Sequence, residues 1–235
     1  HELAGRTAQH WQDARAGNMM PWAKVAAEFG GTAMLLAIVV GSGIMGEQLA
    51  GGNAAIALLG NSIATGAGLY VLISVLGPVS GAHFNPAVSL TFWRAGGLSG
   101  ALLCAYIVAQ VAGGVTGVWI THPMFDLPVL QYSVKARSGF PQWLSEFLAT
   151  GILLATIHLG LRHAAERVPL LVALIVTAGY WFTASTFFSN PAVTIARCFS
   201  NTFAGIQPAD VTGFIVAQLA ACALACAVIR GKASG

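Results

Sequence analysis

Apolar residues gather in six long blocks along this chain, at about 23–46, 54–77, 99–121, 142–162, 168–187 and 209–230. Each block is long enough to cross a hydrocarbon core at the rise of an α-helix, so the pattern predicts six transmembrane helices. Two shorter apolar pieces are left over, 86–94 and 191–198. Eight or nine helical residues reach about 12–14 Å, which is halfway across. Each piece follows an Asn-Pro pair. Asparagine is a good N-cap and proline suits the first helical turn, so Asn85-Pro86 and Asn190-Pro191 predict the starts of two half-length helices.

The chain also repeats itself. Glu28 in Ala27-Glu28-Phe29 returns as Glu146 in Ser145-Glu146-Phe147, an offset of 118 residues. Ile107-Val108-Ala109-Gln110 returns as Ile215-Val216-Ala217-Gln218 at 108, and Asn85-Pro86-Ala87-Val88 as Asn190-Pro191-Ala192-Val193 at 105. The order is kept throughout, which predicts a tandem duplication of a three-span unit: residues 22–121 and 142–230 inside a channel-like domain over 22–230. Three is odd, so the second copy lies inverted, and broken helices at matching places mark a pathway near the midplane. The expected fold class is therefore an all-α membrane protein of six transmembrane helices plus two re-entrant half-helices.

Composition narrows the class. Of 235 residues, 56% are hydrophobic and only 8% charged, against roughly 25% charged in a soluble domain. That excludes a soluble enzyme and a disordered chain alike, and the 28 glycines suit close helix approach in lipid. A net charge of +3 gives no reason to expect nucleic acid. The four cysteines read as small buried hydrophobes, and neither a metal site nor a cofactor is expected. Residues 1–21 and 231–235 are read as tails outside the fold, the first as a cytoplasmic tail or a non-native remnant; residues 1–18 lack the apolar run of a signal peptide. With both termini in the cytoplasm, Arg6, Arg15, Lys24, Arg94, Arg162, Arg167, Arg230 and Lys232 lie inside and Lys135, Arg137 and Arg197 outside, as the positive-inside rule requires.

Half-helices entering from opposite faces would bring two N-termini together, each carrying about +0.5 of a charge. That zone repels protons and cations and favours neutral, hydrogen-bonding solutes. The stretches before each Asn-Pro, 77–84 and 183–189, are expected to be irregular, with the carbonyls of Gly81, Ala82, His83, Thr186, Phe187 and Phe188 forming an acceptor ladder. The His83 ring either braces its loop or acts in gating. Glu28 and Glu146, acids inside apolar spans, are expected to accept N–H groups from the two loops and hold their shape; a proton relay is the alternative.

The two Asn-Pro-Ala boxes, Asn85-Pro86-Ala87 and Asn190-Pro191-Ala192, the phrase Ser80-Gly81-Ala82-His83-Phe84-Asn85-Pro86-Ala87-Val88 and the paired Glu and Gln repeats resemble the aquaporin (major intrinsic protein) family over about residues 22–230. The resemblance implies a pore in each subunit, a homotetramer and a multi-pass protein of the cell membrane whose partners are lipid and small neutral solutes. The family usually carries arginine after the second box, at its narrowest constriction; here it is Val193. Counting back from the boxes, the resemblance implies Thr65, then Ala178 or Gly179, with Phe187 and Val193, as the selectivity filter: wide, neutral and small-sided. Such a throat resembles those of bacterial relatives linked to arsenic resistance and implies passage of water, glycerol-like polyols and neutral metalloid acids such as arsenite or methylated arsenicals. Arg197, one turn beyond Val193, either hangs over the outer mouth or caps the half-helix. An ion-coupled transporter and a mainly water-selective channel are the competing readings; motifs for an enzyme are missing.

Overall fold

A computed structural model describes residues 20–231; of the expected tails at 1–21 and 231–235, residues 1–19 and 232–235 lie outside the described residues, while Pro21 and Gly231 belong to helices. Eight α-helices follow in chain order among them: α1 (Pro21–Leu49), α2 (Ala54–Ser80), α3 (Pro86–Arg94), α4 (Gly100–Met124), α5 (Phe140–His163), α6 (Val168–Phe182), α7 (Pro191–Arg197) and α8 (Pro208–Gly231). Five of them, and α6 taken with the 3-10 turn Ala165–Arg167 before it, are long and apolar enough to cross a membrane; α3 and α7 are the half-length elements. An even number of crossings returns the chain to the face it left. We call that the terminal face, and the opposite one, which carries residues 125–139 and 198–207, the loop face.

Local chemistry sets the boundaries. The Asn53 side chain accepts from the N–H groups of Ala55 (3.0 Å) and Ile56 (3.4 Å) to start α2, and Ser99 accepts from Leu102 at 3.2 Å to start α4. Two expectations are corrected. Residues 77–80 are helical: α2 runs through Pro78 to Ser80 and closes on Gly81, whose left-handed φ of +90° fits a residue without Cβ. A proline donates no N–H, so the Ser74 carbonyl is freed at the cost of one helical bond, and both residues line the cavity described below. The block 168–187 is helical only to Phe182. There the Thr183 hydroxyl donates to the Gly179 carbonyl (2.7 Å) and accepts from the Phe187 N–H (2.9 Å), turning the chain inward.

Packing follows the repeats, with α1 against α2 and α4, and α5 against α6 and α8. The α1–α4 seam is backbone on backbone. A Cβ built on Gly113 would lie 2.2 Å from the Phe29 carbonyl oxygen, and one on Gly117 2.0 Å from that of Ala33. This is the small-xxx-small contact by which helices associate in lipid. The two halves join where α2 meets α6, with Trp181 Nε1 donating to Ser62 Oγ at 3.1 Å, and where α3 meets α7.

Candidate functional site

The two loops that lead into the half-helices share one backbone. Gly81, Ala82 and Phe84 have positive φ, and so do Thr186, Phe187 and Ser189, each 105 residues on. Five of these six residues carry a side chain, for which this region is unfavourable by about 1–3 kcal/mol each. The strain is held by two buried carboxylates. Glu28 accepts from Ser80 Oγ (2.6 Å), His83 N (2.9 Å), Phe84 N (2.6 Å) and Gln110 Nε2 (2.8 Å). Glu146 accepts from Phe188 N (3.0 Å), Ser189 N (2.8 Å) and Gln218 Nε2 (2.6 Å). Each glutamine also donates to a hydroxyl of the adjoining half-helix, Gln110 to Ser89 (3.0 Å) and Gln218 to Thr194 (2.9 Å). Both acids are thus engaged by donors from the loops and the glutamines.

At the N-terminus of α3, Asn85 Oδ1 accepts from Ala87 N; at that of α7, Asn190 Oδ1 accepts from Ala192 N and Val193 N. Their amides then cross the repeat boundary. Asn85 Nδ2 donates to the Ser189 carbonyl at 2.8 Å and Asn190 Nδ2 to the Phe84 carbonyl at 2.7 Å. A primary amide has two N–H donors, so each asparagine keeps a second one beside the cavity that both line.

That cavity, of about 510 Å³, runs from Leu161, Ala165 and Pro169 near the terminal face past both asparagines to Thr65, Tyr180, Val193 and Arg197 near the loop face. Gly81, Ala82, His83, Phe187 and Phe188 line it, and among the described residues no protein N–H bonds their carbonyl oxygens; Thr186 does not reach it. The His83 ring is held by Ser89 Oγ at 3.0 Å from Nδ1 and by Phe92, 4.5 Å between centroids. His158 bonds Thr91 Oγ1 at 2.9 Å.

The loop-face end differs from the counted filter. Thr65 and Val193 line it, but Ala178 and Gly179 do not. Ala178 is exposed on the outside of α6, and Gly179 lies under Phe187, whose ring a Cβ there would meet at 2.1 Å. The lumen-facing row of α6 is Val168, Val172, Val176 and Tyr180, spaced by four. Tyr180 OH and Thr65 Oγ1 share a hydrogen bond of 3.1 Å. An i, i+4 row ending in a polar aromatic is the signal that the count from the box passed over. Arg197 also lines the cavity. It is 2% exposed, bonds the Ala204 carbonyl through Nε and stacks its guanidinium 3.4 Å from the Phe188 ring centroid. The throat is therefore neither small-sided nor free of charge.

Two more cations stand nearby. Arg137 donates from Nε to the Gly205 carbonyl (2.8 Å) and from Nη1 to that of Ser185 (3.3 Å), and its guanidinium lies 5.0 Å from the same Phe188 ring. Lys135 Nζ donates to the Phe203 carbonyl at 2.7 Å. Burial, with Arg137 and Arg197 close by, lowers the Lys135 pKa to about 8; burial lowers Arg137 to about 10. Among the described residues, no group of three or more His, Cys, Asp or Glu side chains is placed to hold a metal.

Known proteins agree with this architecture. The profile of the family described as "Major intrinsic protein" matches residues 15–186. Aquaglyceroporin AqpS of Rhizobium meliloti is 56% identical over 201 residues, 85% of this chain and 86% of that protein. The glycerol uptake facilitator protein of Pseudomonas aeruginosa is 37% identical over 106 residues, covering 45% and 37% of the two chains. Among solved structures, the aquaglyceroporin from Plasmodium falciparum superposes with a TM-score of 0.62 over 90% of this chain and 99% of its own, at 20% identity, a likeness of fold.

Proposed function

The chain belongs to the major intrinsic protein family, a family of channels rather than enzymes, and from that premise we propose a passive pore for small uncharged solutes: water, glycerol-like polyols and neutral metalloid acids such as arsenous acid. The observation that carries the reading is the pair Asn85 and Asn190, locked to each other's loops and facing one cavity with a spare N–H each. A hydrogen-bonding solute finds a donor at mid-depth. A cation meets two helix N-termini and no acceptor of full charge.

The throat supports the polyol part of the proposal. Its lining mixes polar groups, Thr65 Oγ1, Tyr180 OH and the Arg197 guanidinium, with the apolar side chains of Val193 and Phe187. A compact molecule that carries both hydroxyls and a hydrocarbon edge finds a partner for each. Arsenous acid, uncharged at neutral pH with three hydroxyls, presents the same donors and acceptors in a similar volume. The Thr65–Tyr180 bond across the throat favours a second reading, in which water passes best and larger solutes slowly. We further propose a homotetramer in the cell membrane with cytoplasmic termini, from the family and from the eight-to-three excess of Lys and Arg on the terminal side.

Light scattering of proteoliposomes in sorbitol and glycerol gradients, with arsenite uptake measured by elemental analysis, tests the proposal. Flux of water, glycerol and arsenite above empty liposomes, without saturation and without response to a proton gradient, is the expected result. Water flux alone would select the second reading, and impermeability to all three would overturn both.

A further inference from the structure

Three consecutive carbonyl groups on the loop face each take one cationic side chain. Phe203 accepts from Lys135 Nζ, Ala204 from Arg197 Nε and Gly205 from Arg137 Nε. The three charges form a file inward. Lys135 is exposed, Arg137 is 8% exposed, and Arg197 is 2% exposed with its side chain on the cavity wall. Phe188 underlies both guanidinium groups.

Glu47 faces Lys135 and Glu146 faces the two arginines only at a distance, without a hydrogen bond. Among the described residues, no carboxylate takes a hydrogen bond from any of these side chains. The nearby Asp210 carboxylate accepts instead from the Arg137 backbone N–H and from Gln207 Nε2. Arg197 spends only Nε on the protein, so its terminal Nη donors find no protein acceptor among the described residues. Burying a charge without a partner costs several kcal/mol. A guanidinium fork left free at a cavity wall matches two oxygens of an anion. A second donor is at hand: in the Thr65–Tyr180 pair one hydroxyl donates to the other, so one O–H hydrogen stays free on the same cavity.

We propose that the loop-face end of the pore is a binding site for a small oxyanion, a phosphate- or sulfate-like group gripped by the Arg197 fork and drawn in past Lys135 and Arg137, and that its occupation plugs the channel. Between that end and the asparagines, Val193, Val176 and Leu69 line the walls, so a charged ligand meets an apolar stretch that opposes its passage further in. The plugging rests on the proposed conduction; the binding does not.

Two measurements keep these apart. Calorimetric titration of the purified full chain in detergent with sodium sulfate, at low salt, reads binding alone. One saturable site per chain is expected, at about millimolar affinity for a bidentate contact, lost in Arg197→Gln and weakened about threefold in Lys135→Gln, whose side chain faces solvent. Glycerol efflux from proteoliposomes, with sulfate exchanged for chloride at constant ionic strength on both sides, reads the plug. Efflux falling with sulfate occupancy in the native chain, with the half-inhibiting sulfate concentration raised about threefold in Lys135→Gln, is expected. Absence of heat with native protein that conducts glycerol overturns the site, as does undiminished affinity in both variants. Sulfate binding in a chain that conducts nothing would leave the site standing and remove the conduction.

Discussion

Thr65 and Tyr180, on α2 and α6, meet across the loop-face end of the cavity with 3.1 Å between their hydroxyl oxygens. The bond joins the two halves of the molecule at that end of the cavity, and we propose Tyr180 as the gatepost there. Tyr180→Ala should remove that post and raise glycerol flux relative to water by about fivefold, the equivalent of roughly 1 kcal/mol of barrier. Ala178→Phe, on the exposed outer side of α6, should leave the ratio unchanged. The two variants are compared in glycerol and sorbitol gradients. A change in selectivity on Ala178→Phe but not on Tyr180→Ala would return the filter to the counted position.

That contrast shows which parts of the site are legible in the chain. The half-helices are, because Asn-Pro is a local signal that fixes a helix start to the residue; Pro86 and Pro191 begin them in the structure. The Glu–Gln pairs are legible as repeats, although the four donors to Glu28 come from three elements and the three to Glu146 from two. Position 178 is not legible in this way. Two residues turn a helix by about 200°, so a loop conformation that shifts the count by two exchanges the lipid face for the lumen. The orientation of Arg197 is equally non-local, set by the Ala204 carbonyl and the Phe188 ring. Pro78 misleads in the other direction: it marks a helix end by rule, yet here the helix continues for two more residues.

Val193→Arg introduces a second guanidinium one helical turn from Arg197. Both would face a cavity with no acid to share between them, so the throat should narrow and repel cations more strongly. Glycerol flux is expected to drop by about tenfold and water flux by less. Equal losses for both solutes would mean that the side chain at 193 does not stand at the constriction.

Asn190→Asp tests the field at mid-depth. The substitution keeps the cap, since a carboxylate also accepts from Ala192 N and Val193 N. It replaces the amide that donates to the Phe84 carbonyl by an acceptor and sets a negative charge against two helix N-termini. Monovalent cation conductance in planar bilayers should rise above that of the native chain. An unchanged conductance would assign the barrier to the throat instead.

Neighbouring glycines of α1 should respond in opposite ways. A methyl group on Gly31 would lie 2.0 Å from the Phe84 ring, whereas one on Gly30 meets nothing within 4 Å. Phe84 cannot step aside, because its own N–H is held by Glu28 and its carbonyl by Asn190. Gly31→Ala is expected to cost about 1–3 kcal/mol through overpacking, and Gly30→Ala to gain up to about 1 kcal/mol in helix propensity. Thermal unfolding in detergent should therefore move down for the first and level or up for the second.

The cation file predicts a pH dependence for the proposed anion site. Lys135 is faced by Arg137 and Arg197, which favour loss of its proton, and by Glu47, which opposes it; partial burial adds to the first effect and brings its pKa to about 8. Below that value all three side chains are charged; above it the outermost charge is gone, while the two guanidinium groups stay protonated. Sulfate keeps a constant charge across this range, so its affinity should fall about threefold between pH 7 and pH 9, with the midpoint near Lys135's own titration. In Lys135→Gln the affinity should start lower and stay flat. The same pKa shift has a consequence for stability. A lysine with an ordinary pKa near 10.4 in the unfolded chain binds more protons there than in the native state between about pH 8 and 10, so native stability rises with pH across that window. A single substitution thus links two opposite slopes, weaker anion binding and greater stability as pH rises, and both should vanish together in Lys135→Gln. Persistence of either slope in that variant would assign it to a different group.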